Sequence, residues 1–152
     1  MKKGIALLLC LIMVFPLTVS ATPVETAEEA VILSETVTAE DGFTFVDELI
    51  DISQARSADK DYIRRKTIYR EDVLVAIIAF TVTFRYDGSS VSVVSKAVTQ
   101  TDTYNGWNYK QNSFTSSGGT VTLDAKLTKL LIFNAPFTMS ATCDANGNIS
   151  IS

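Results

Sequence analysis

The chain has 152 residues, with 17 acidic and 13 basic side chains, a net charge of −4 and no histidine. Because a nucleic-acid-binding protein is normally basic, this charge predicts that nucleic acid is not a partner. Without histidine, the Ser-His-Asp and Cys-His catalytic arrangements and the commonest metal ligand are excluded, so we expect neither a cofactor nor a metal.

Residues 1–21 have the pattern of an export signal. Lys2 and Lys3 precede an apolar run over residues 5–17, and Val19-Ser20-Ala21 supplies the small residues of a cleavage site. The run is shorter than the roughly 18 apolar residues that span a bilayer. We therefore predict cleavage after Ala21 and a secreted bacterial protein with no integral membrane segment.

Residues 22–58 are predicted to form an acidic, partly disordered N-terminal extension. Residues 22–53 contain nine acids and no lysine or arginine, and their short apolar clusters do not keep one period. Within them, residues 43–46 have the pattern of a short strand and residues 46–55 that of a short helix. An alternative is a pro-region or spacer that pairs electrostatically with the basic run that follows.

Residues 59–152 are predicted to form a domain of about seven antiparallel strands. In residues 73–86 every even position is apolar, and residues 120–129 alternate just as regularly. Asp-Gly and Asn-Gly pairs between the alternating segments are typical of tight turns. The pattern predicts an all-β, immunoglobulin-like antiparallel β-sandwich, and a small β-barrel is the alternative.

A single cysteine, Cys143, remains after the predicted cleavage, so no intramolecular disulfide is expected. The alternation of residues 137–143 places this thiol in the inward register with Phe137 and Met139. We therefore predict a buried thiol and a monomer, although an odd cysteine in an exported protein also suggests a disulfide-linked dimer.

Four short segments in the strand-rich region carry a family resemblance. They are a hairpin that contains Phe84-Arg85-Tyr86-Asp87-Gly88-Ser89-Ser90, the strand start Gly106-Trp107-Asn108-Tyr109, a Ser-Gly-Gly turn, and the terminal Cys143-Asp144-Ala145-Asn146-Gly147. In this order they resemble a group of uncharacterised small exported proteins of Gram-positive bacteria. The resemblance covers residues 66–152. It implies export and an all-β sandwich, and it supplies no catalytic residues.

Aromatic residues near the Asn-Gly turn are the best candidates for ligand binding. Tyr104, Trp107 and Tyr109 lie close together in the sequence, and exposed aromatic rings on a sandwich stack on sugar rings. The alternative for Trp107 is that it is the core tryptophan that such sandwiches often have.

A basic run follows the acidic segment and is the candidate contact for an anionic polymer such as teichoic acid, or for a membrane surface. The alternative is a solvated edge strand whose charges discourage aggregation. The run consists of Arg56, Lys60, Arg64, Arg65, Lys66 and Arg70.

Catalysis would have to use carboxylates, and Asp102 and Asp124 are the candidates on β segments. Both are predicted to be solvated, which gives no reason for the raised pKa of a catalytic acid. Residues 144–148 resemble part of a calcium loop, but a turn is expected because the terminal Glu is missing.

We therefore expect a non-enzymatic protein that binds a cell-wall polymer or another surface protein. The alternatives are a small secreted hydrolase that uses carboxylates, and a secreted effector or bacteriocin-like protein with an acidic pro-region.

Overall fold

The computed structural model describes residues 30–38, 42–54, 59–130 and 132–152, which contain nine strands and no helix. The export signal predicted over residues 1–21 and the candidate Arg56 lie outside the described residues. The strands are β1 (Ala30–Thr38), β2 (Phe43–Asp51), β3 (Asp59–Arg70), β4 (Val73–Tyr86), β5 (Val91–Thr103), β6 (Asn108–Ser117), β7 (Thr120–Lys129), β8 (Phe133–Cys143) and β9 (Ile149–Ile151).

The strands form two antiparallel sheets, which confirms the all-β prediction. β1 to β5 make the larger sheet and β6 to β9 the smaller one, each in sequence order. The seven strands predicted after residue 59 correspond to β3 to β9. The two separate sheets are consistent with a sandwich rather than one closed barrel. The immunoglobulin-like arrangement is not confirmed, because both sheets are meanders and the immunoglobulin fold has Greek-key connections.

Two strands, β1 and β2, come from residues 22–58, the segment predicted to form an N-terminal extension. Residues 43–46 are a strand as predicted, but the helix predicted over 46–55 is wrong, because residues 46–51 continue β2. Leu49 is fully buried and Phe43 is 5% exposed, so β2 contributes to the core. Among the described residues the larger sheet therefore begins at Ala30 and not at residue 59.

One apolar cluster fills the space between the two sheets. The even residues of β4 from Ala76 to Phe84 are buried, and so are the odd residues of β7 from Val121 to Leu127. The rings of Phe80 on β4 and Phe114 on β6 lie 5.3 Å apart and join the two layers. Each large side chain buried in this way contributes about 1.5–3 kcal/mol, and this burial stabilises the fold without a disulfide.

Cys143 is a free thiol that is 2% exposed on β8, as the alternation predicted. Its Sγ lies 3.4 Å from the carbonyl oxygen of Asp144, to which it donates a weak hydrogen bond. Burial raises the pKa of this thiol, and the neighbouring Asp144 carboxylate raises it further. A thiol that stays protonated is a poor nucleophile.

Three glycine turns meet at one end of the sandwich, which we call the glycine end (Gly88, Gly119 and Gly147). The Gly88 amide donates to the carbonyl of Ala145 at 2.8 Å, and the Cys143 amide donates to that of Gly119 at 2.9 Å. A side chain on Gly119 would collide with the Cys143 carbonyl oxygen. The three turns are thus packed against one another.

The resemblance of residues 144–148 to a calcium loop has a simpler structural explanation. Asp144 Oδ1 accepts hydrogen bonds from the amides of Asn146 at 2.8 Å and Asn148 at 2.9 Å, so its carboxylate closes the β8–β9 turn. In the described part of the chain, no three His, Cys, Asp or Glu side chains are grouped as metal ligands.

Candidate ligand-binding cleft

A cleft of about 370 Å³ opens at the end of the sandwich opposite the glycine end. β4 begins at the cleft and runs 14 residues to Tyr86 at the glycine end. The walls come from the β3–β4 turn, the loop between β5 and β6, and the β7–β8 turn, so both sheets contribute. The lining residues are Arg70, Glu71, Val73, Val75, Asn105, Trp107, Lys129 and Phe133.

The turns around the cleft are conformationally strained. Glu71, Asp72, Asn105 and Leu130 have φ values of 51°, 64°, 56° and 52°, and no other non-glycine residue in the described ranges has a positive φ. This conformation costs about 1–2 kcal/mol for an ordinary L-residue and less for Asn or Asp. Glu71 and Asp72 are the two central residues of the β3–β4 hairpin, and a two-residue hairpin favours a positive φ at both, so the tight turn itself accounts for their conformation.

Hydrogen bonds hold two of these turns in place. The Glu71 amide donates to the carbonyl of Gly42 at 3.1 Å, which ties the β3–β4 turn to the start of β2. Asn105 Nδ2 donates to the carbonyl of Leu74 at 3.0 Å, which ties the β5–β6 loop to β4. The cleft walls are therefore anchored to the larger sheet.

Trp107 forms the inner wall of the cleft and is 4% exposed. Its ring meets Phe43 edge-on at 5.6 Å and lies 6.2 Å from the ring of Phe133. Trp107 is thus a core tryptophan, the alternative left open by the sequence, and it does not present a flat exposed face for sugar stacking.

The other two aromatic candidates do not join Trp107 in a common platform. Tyr104 is 39% exposed on the loop before Trp107 and does not line the cleft. Tyr109 is half-buried on β6, where its hydroxyl donates to Gln111 Oε1 at 3.4 Å and burial raises its pKa.

Two cations flank the aromatic walls. The guanidinium carbon of Arg70 lies 4.3 Å from the ring centre of Phe133, and Lys129 Nζ lies 6.0 Å from that of Trp107. Neither cation forms an ion pair within the described ranges, and Arg70 Nε is buried without a hydrogen-bond partner there. A buried donor on a charged group is costly unless a partner satisfies it. This arrangement is suited to an anion.

The other residues of the basic run do not form a common surface with Arg70. Arg64 is 1% exposed and Lys66 is 7% exposed, since even positions of β3 face the interior, so neither contacts an external surface in this conformation. Asp47 forms an ion pair with each, with its Oδ1 2.6 Å from Arg64 Nη2 and its Oδ2 2.7 Å from Lys66 Nζ. Burial lowers the pKa of Lys66, and the hydrogen bond to Asp47 opposes that effect.

The remaining members of the run lie at the surface or near it. Arg65 pairs with Glu48 at 2.8 Å on the opposite side of the sheet, and Lys60 is half-buried. The acidic segment and the basic run therefore do pair electrostatically, through Asp47 and Glu48. The prediction of one anion-binding face fails for Arg64 and Lys66, because alternate residues of a strand point to opposite faces.

The two candidate catalytic carboxylates lie far apart. Asp102 pairs with Ile77 on the outer face of the larger sheet, and Asp124 is on the outer face of the smaller one. Side-chain amides of Gln100 and Asn112, respectively, donate to them. They do not converge on a common site.

Sequence reasoning missed Lys129 and Phe133 as cleft residues. The only local signal was that a lysine directly precedes the apolar segment 130–133.

No protein-family model, no curated protein and no solved structure matches this chain. No helix in the described part of the chain is long and apolar enough to cross a membrane.

Proposed function

We propose that this protein is a secreted, non-enzymatic binding protein whose cleft holds an anionic segment of a bacterial cell-wall polymer. The observation that carries the proposal is the pair of cations, Arg70 and Lys129, beside the aromatic walls of Trp107 and Phe133. Glu71 is the one carboxylate that lines the cleft, and neither cation forms an ion pair within the described ranges. The export signal predicted over residues 1–21 supports a location where such polymers occur.

The chemistry of the cleft matches a phosphate- or carboxylate-bearing sugar or polyol. A ligand of this kind has an anionic group for Arg70 and Lys129 and apolar surface for the partly exposed ring of Phe133. A volume of about 370 Å³ falls within the roughly 300–1,000 Å³ of ordinary ligand pockets. Binding through two partly exposed cations is expected to weaken as salt screens them.

A carboxylate-based hydrolase is less well supported. Glycosidases of the common type need two carboxyl groups across the scissile bond, and Glu71 is the one carboxylate among the residues that line the cleft. The separation of Asp102 from Asp124 removes the pair that the sequence suggested.

An acidic pro-region that is removed on maturation is also less well supported. β2 contributes the fully buried Leu49 and pairs with β3 along its whole length. Removal of residues 22–58 would uncover this part of the core. Mass spectrometry of the protein from culture supernatant is expected to show a chain that begins near residue 22 and not near residue 59.

A sedimentation assay on purified bacterial cell wall tests the binding proposal. We expect the wild-type protein to bind at low salt and to dissociate at high salt. Arg70→Gln and Lys129→Gln are each expected to weaken binding about tenfold, because each removes a charge-assisted contact.

Arg85→Gln is the matched control, because it removes the same charge from the glycine end of β4, where Arg85 pairs with Asp59. Wild-type binding at neither salt concentration, or equal effects of all three substitutions, would contradict a specific anion site in the cleft.

A further inference from the structure

Exposed large apolar side chains are concentrated in two parts of the described structure. Val94 is separate from both groups. Four lie on β1 (Val31, Ile32, Leu33 and Val37), and five lie around the cleft (Val73, Tyr104, Leu130, Ile132 and Phe133). The most exposed are Leu130 at 73% and Ile132 at 76%, in the turn between β7 and β8. With Phe133 at 36%, they form what we call the apolar tip (Leu130, Ile132 and Phe133).

We propose that the apolar tip docks on the surface of an anionic phospholipid bilayer, with Leu130 and Ile132 entering the boundary between headgroups and acyl chains. Two aliphatic side chains about three-quarters exposed in one short turn form a small apolar patch. A patch of two side chains is enough to enter a lipid headgroup layer, whereas a typical protein interface buries a much larger area. The inference rests on the proposed function for the anion binding by Arg70 and Lys129.

Cations lie beside the apolar tip. Lys129 directly precedes it, and the Arg70 guanidinium lies over the ring of Phe133. Lys110 and Lys126 are direct cross-strand partners on the outer face of the smaller sheet, and Lys126 precedes Leu130 by four residues, about 13 Å along the strand. Like charges placed opposite each other destabilise a sheet, and neither lysine has an ion-pair partner in the described ranges.

Among the described residues, the acids at this end are Glu71 and Asp72, on the exposed β3–β4 turn, and Asp102, near the end of β5. The four cations exceed these three acids, and they lie on the side of the tip formed by the smaller sheet and by Arg70. An apolar patch with cations beside it is the combination that anionic headgroups favour. A soluble anionic polymer would use the cations but would have no use for Leu130 and Ile132.

Vesicle sedimentation tests this inference with two lipid compositions and one soluble probe. The vesicles contain either phosphatidylglycerol with phosphatidylcholine or phosphatidylcholine alone, and the soluble probe is poly(glycerol phosphate). The decisive variant is Leu130→Asn/Ile132→Asn, which removes the aliphatic groups. Since Leu130 has a φ of 52° and asparagine tolerates this conformation, the variant is expected to fold.

We expect the wild-type protein to bind the anionic vesicles and not the neutral ones. The double variant is expected to bind the anionic vesicles about tenfold more weakly or worse and to bind poly(glycerol phosphate) normally. Val94→Thr, which alters an aliphatic side chain 47% exposed on β5, is the control and should bind as the wild type does. Lys110→Gln/Lys126→Gln should weaken vesicle binding at low salt.

Trp107 provides a second measurement, because it is the one tryptophan of the chain and its ring lies 6.2 Å from that of Phe133. Anionic vesicles with brominated acyl chains are expected to quench its fluorescence in the wild type and not in the double variant.

Several results would overturn the membrane inference. Binding to poly(glycerol phosphate) without binding to anionic vesicles, or equal vesicle binding by the wild type and the double variant, would refute it and leave the proposed function standing. Self-association without lipid that the double variant abolishes would assign the tip to a second copy of the chain instead. Failure to bind any of the three probes would refute the proposed function as well.

Discussion

Asp47→Ala is expected to be among the most destabilising single substitutions on the inner face of the larger sheet. Asp47 is the carboxylate that forms ion pairs with both Arg64 and Lys66, and the substitution leaves two cations buried without it. Removal of one member of a buried ion pair typically costs about 3–5 kcal/mol. That is a large part of the roughly 5–15 kcal/mol that stabilises an ordinary domain.

The two cations are not equally affected. Arg64 keeps hydrogen bonds to the carbonyl oxygens of Ser140, Glu48 and Arg65, at 3.2–3.4 Å. Lys66 loses the carboxylate oxygen at 2.7 Å and keeps a contact to the ring of Phe45 at 5.2 Å. Most of the cost is therefore expected to fall on Lys66.

Deprotonation of Lys66 limits that cost. At pH 7 the transfer of a proton from a lysine of ordinary pKa costs about 5 kcal/mol, and at pH 9 about 2 kcal/mol. Without Asp47, burial lowers the pKa of Lys66 in the folded state below its ordinary value of 10.5. At pH values just below 10.5 the unfolded state therefore binds more protons than the folded state. The stability of the variant should therefore rise with pH there, and the difference from the wild type should shrink.

Equilibrium urea unfolding, followed by the fluorescence of the buried Trp107, measures these differences. Glu48→Gln is the control, since its pair with Arg65 is partly exposed and is expected to contribute less than about 1 kcal/mol. A loss for Asp47→Ala no larger than that of the control, or a loss that does not depend on pH between 7 and 9, would refute the reasoning. The triple variant Asp47→Leu/Arg64→Met/Lys66→Met is expected to recover most of the stability, because no charge remains buried.

Three further predictions concern the core, the glycine end and the free sheet edge. Burial raises the pKa of Tyr62 to about 12 from an ordinary 10.0. The folded state therefore keeps the phenolic proton to higher pH than the unfolded state does, and the free energy of unfolding should fall as pH rises from 10 to 12. In urea titrations, Tyr62→Phe should show a smaller fall over the same pH range. Gly119→Ala should cost more than about 2 kcal/mol because of the collision with the Cys143 carbonyl, whereas Gly118→Ala, with open space around it, should cost about 1 kcal/mol in the same assay. Leu33→Lys on the exposed edge strand β1 should reduce aggregation measured by light scattering and leave the free energy of unfolding unchanged. If the variant aggregates as much as the wild type does, this edge is already protected.

The strands that alternate without charged residues on their inner face were predictable. Residues 73–86 and 120–129 became β4 and β7 with those bounds, because the side-chain period of two identifies both the strand and its buried face. β2 was harder to predict, since Asp47 and Asp51 occupy two of its inward positions and interrupt the apolar pattern. On its partner β3, Lys66 lies opposite Asp47, whereas Arg64 lies opposite Leu49. The register between them cannot be read from either strand alone, yet it decides whether these charges are buried and paired or lie in solvent.

The cleft was less predictable, because three turns distant in sequence form it. Arg70, Asn105 and Lys129 lie at least 24 residues apart along the chain and belong to turns from both sheets. The positive φ values of Glu71 and Leu130 depend on how these turns are held, and glutamate and leucine carry no local signal for that conformation. Composition supplied the candidates Trp107 and Arg70, and only the packing of the two sheets brought them into one site.

The two ends of the sandwich differ in which residues take a positive φ. At the glycine end, the turn positions that need a positive φ or a close approach have glycine. At the cleft end, Gly42 and Gly106 have a positive φ too, but so do Glu71, Asp72, Asn105 and Leu130, and an arginine nitrogen is buried without a partner in the described ranges. Amide-to-carbonyl bonds join segments at both ends, so the cleft is anchored although its turns contain residues that disfavour this conformation. A buried cationic nitrogen costs stability until a partner satisfies it, and an anionic ligand in the cleft would supply that partner.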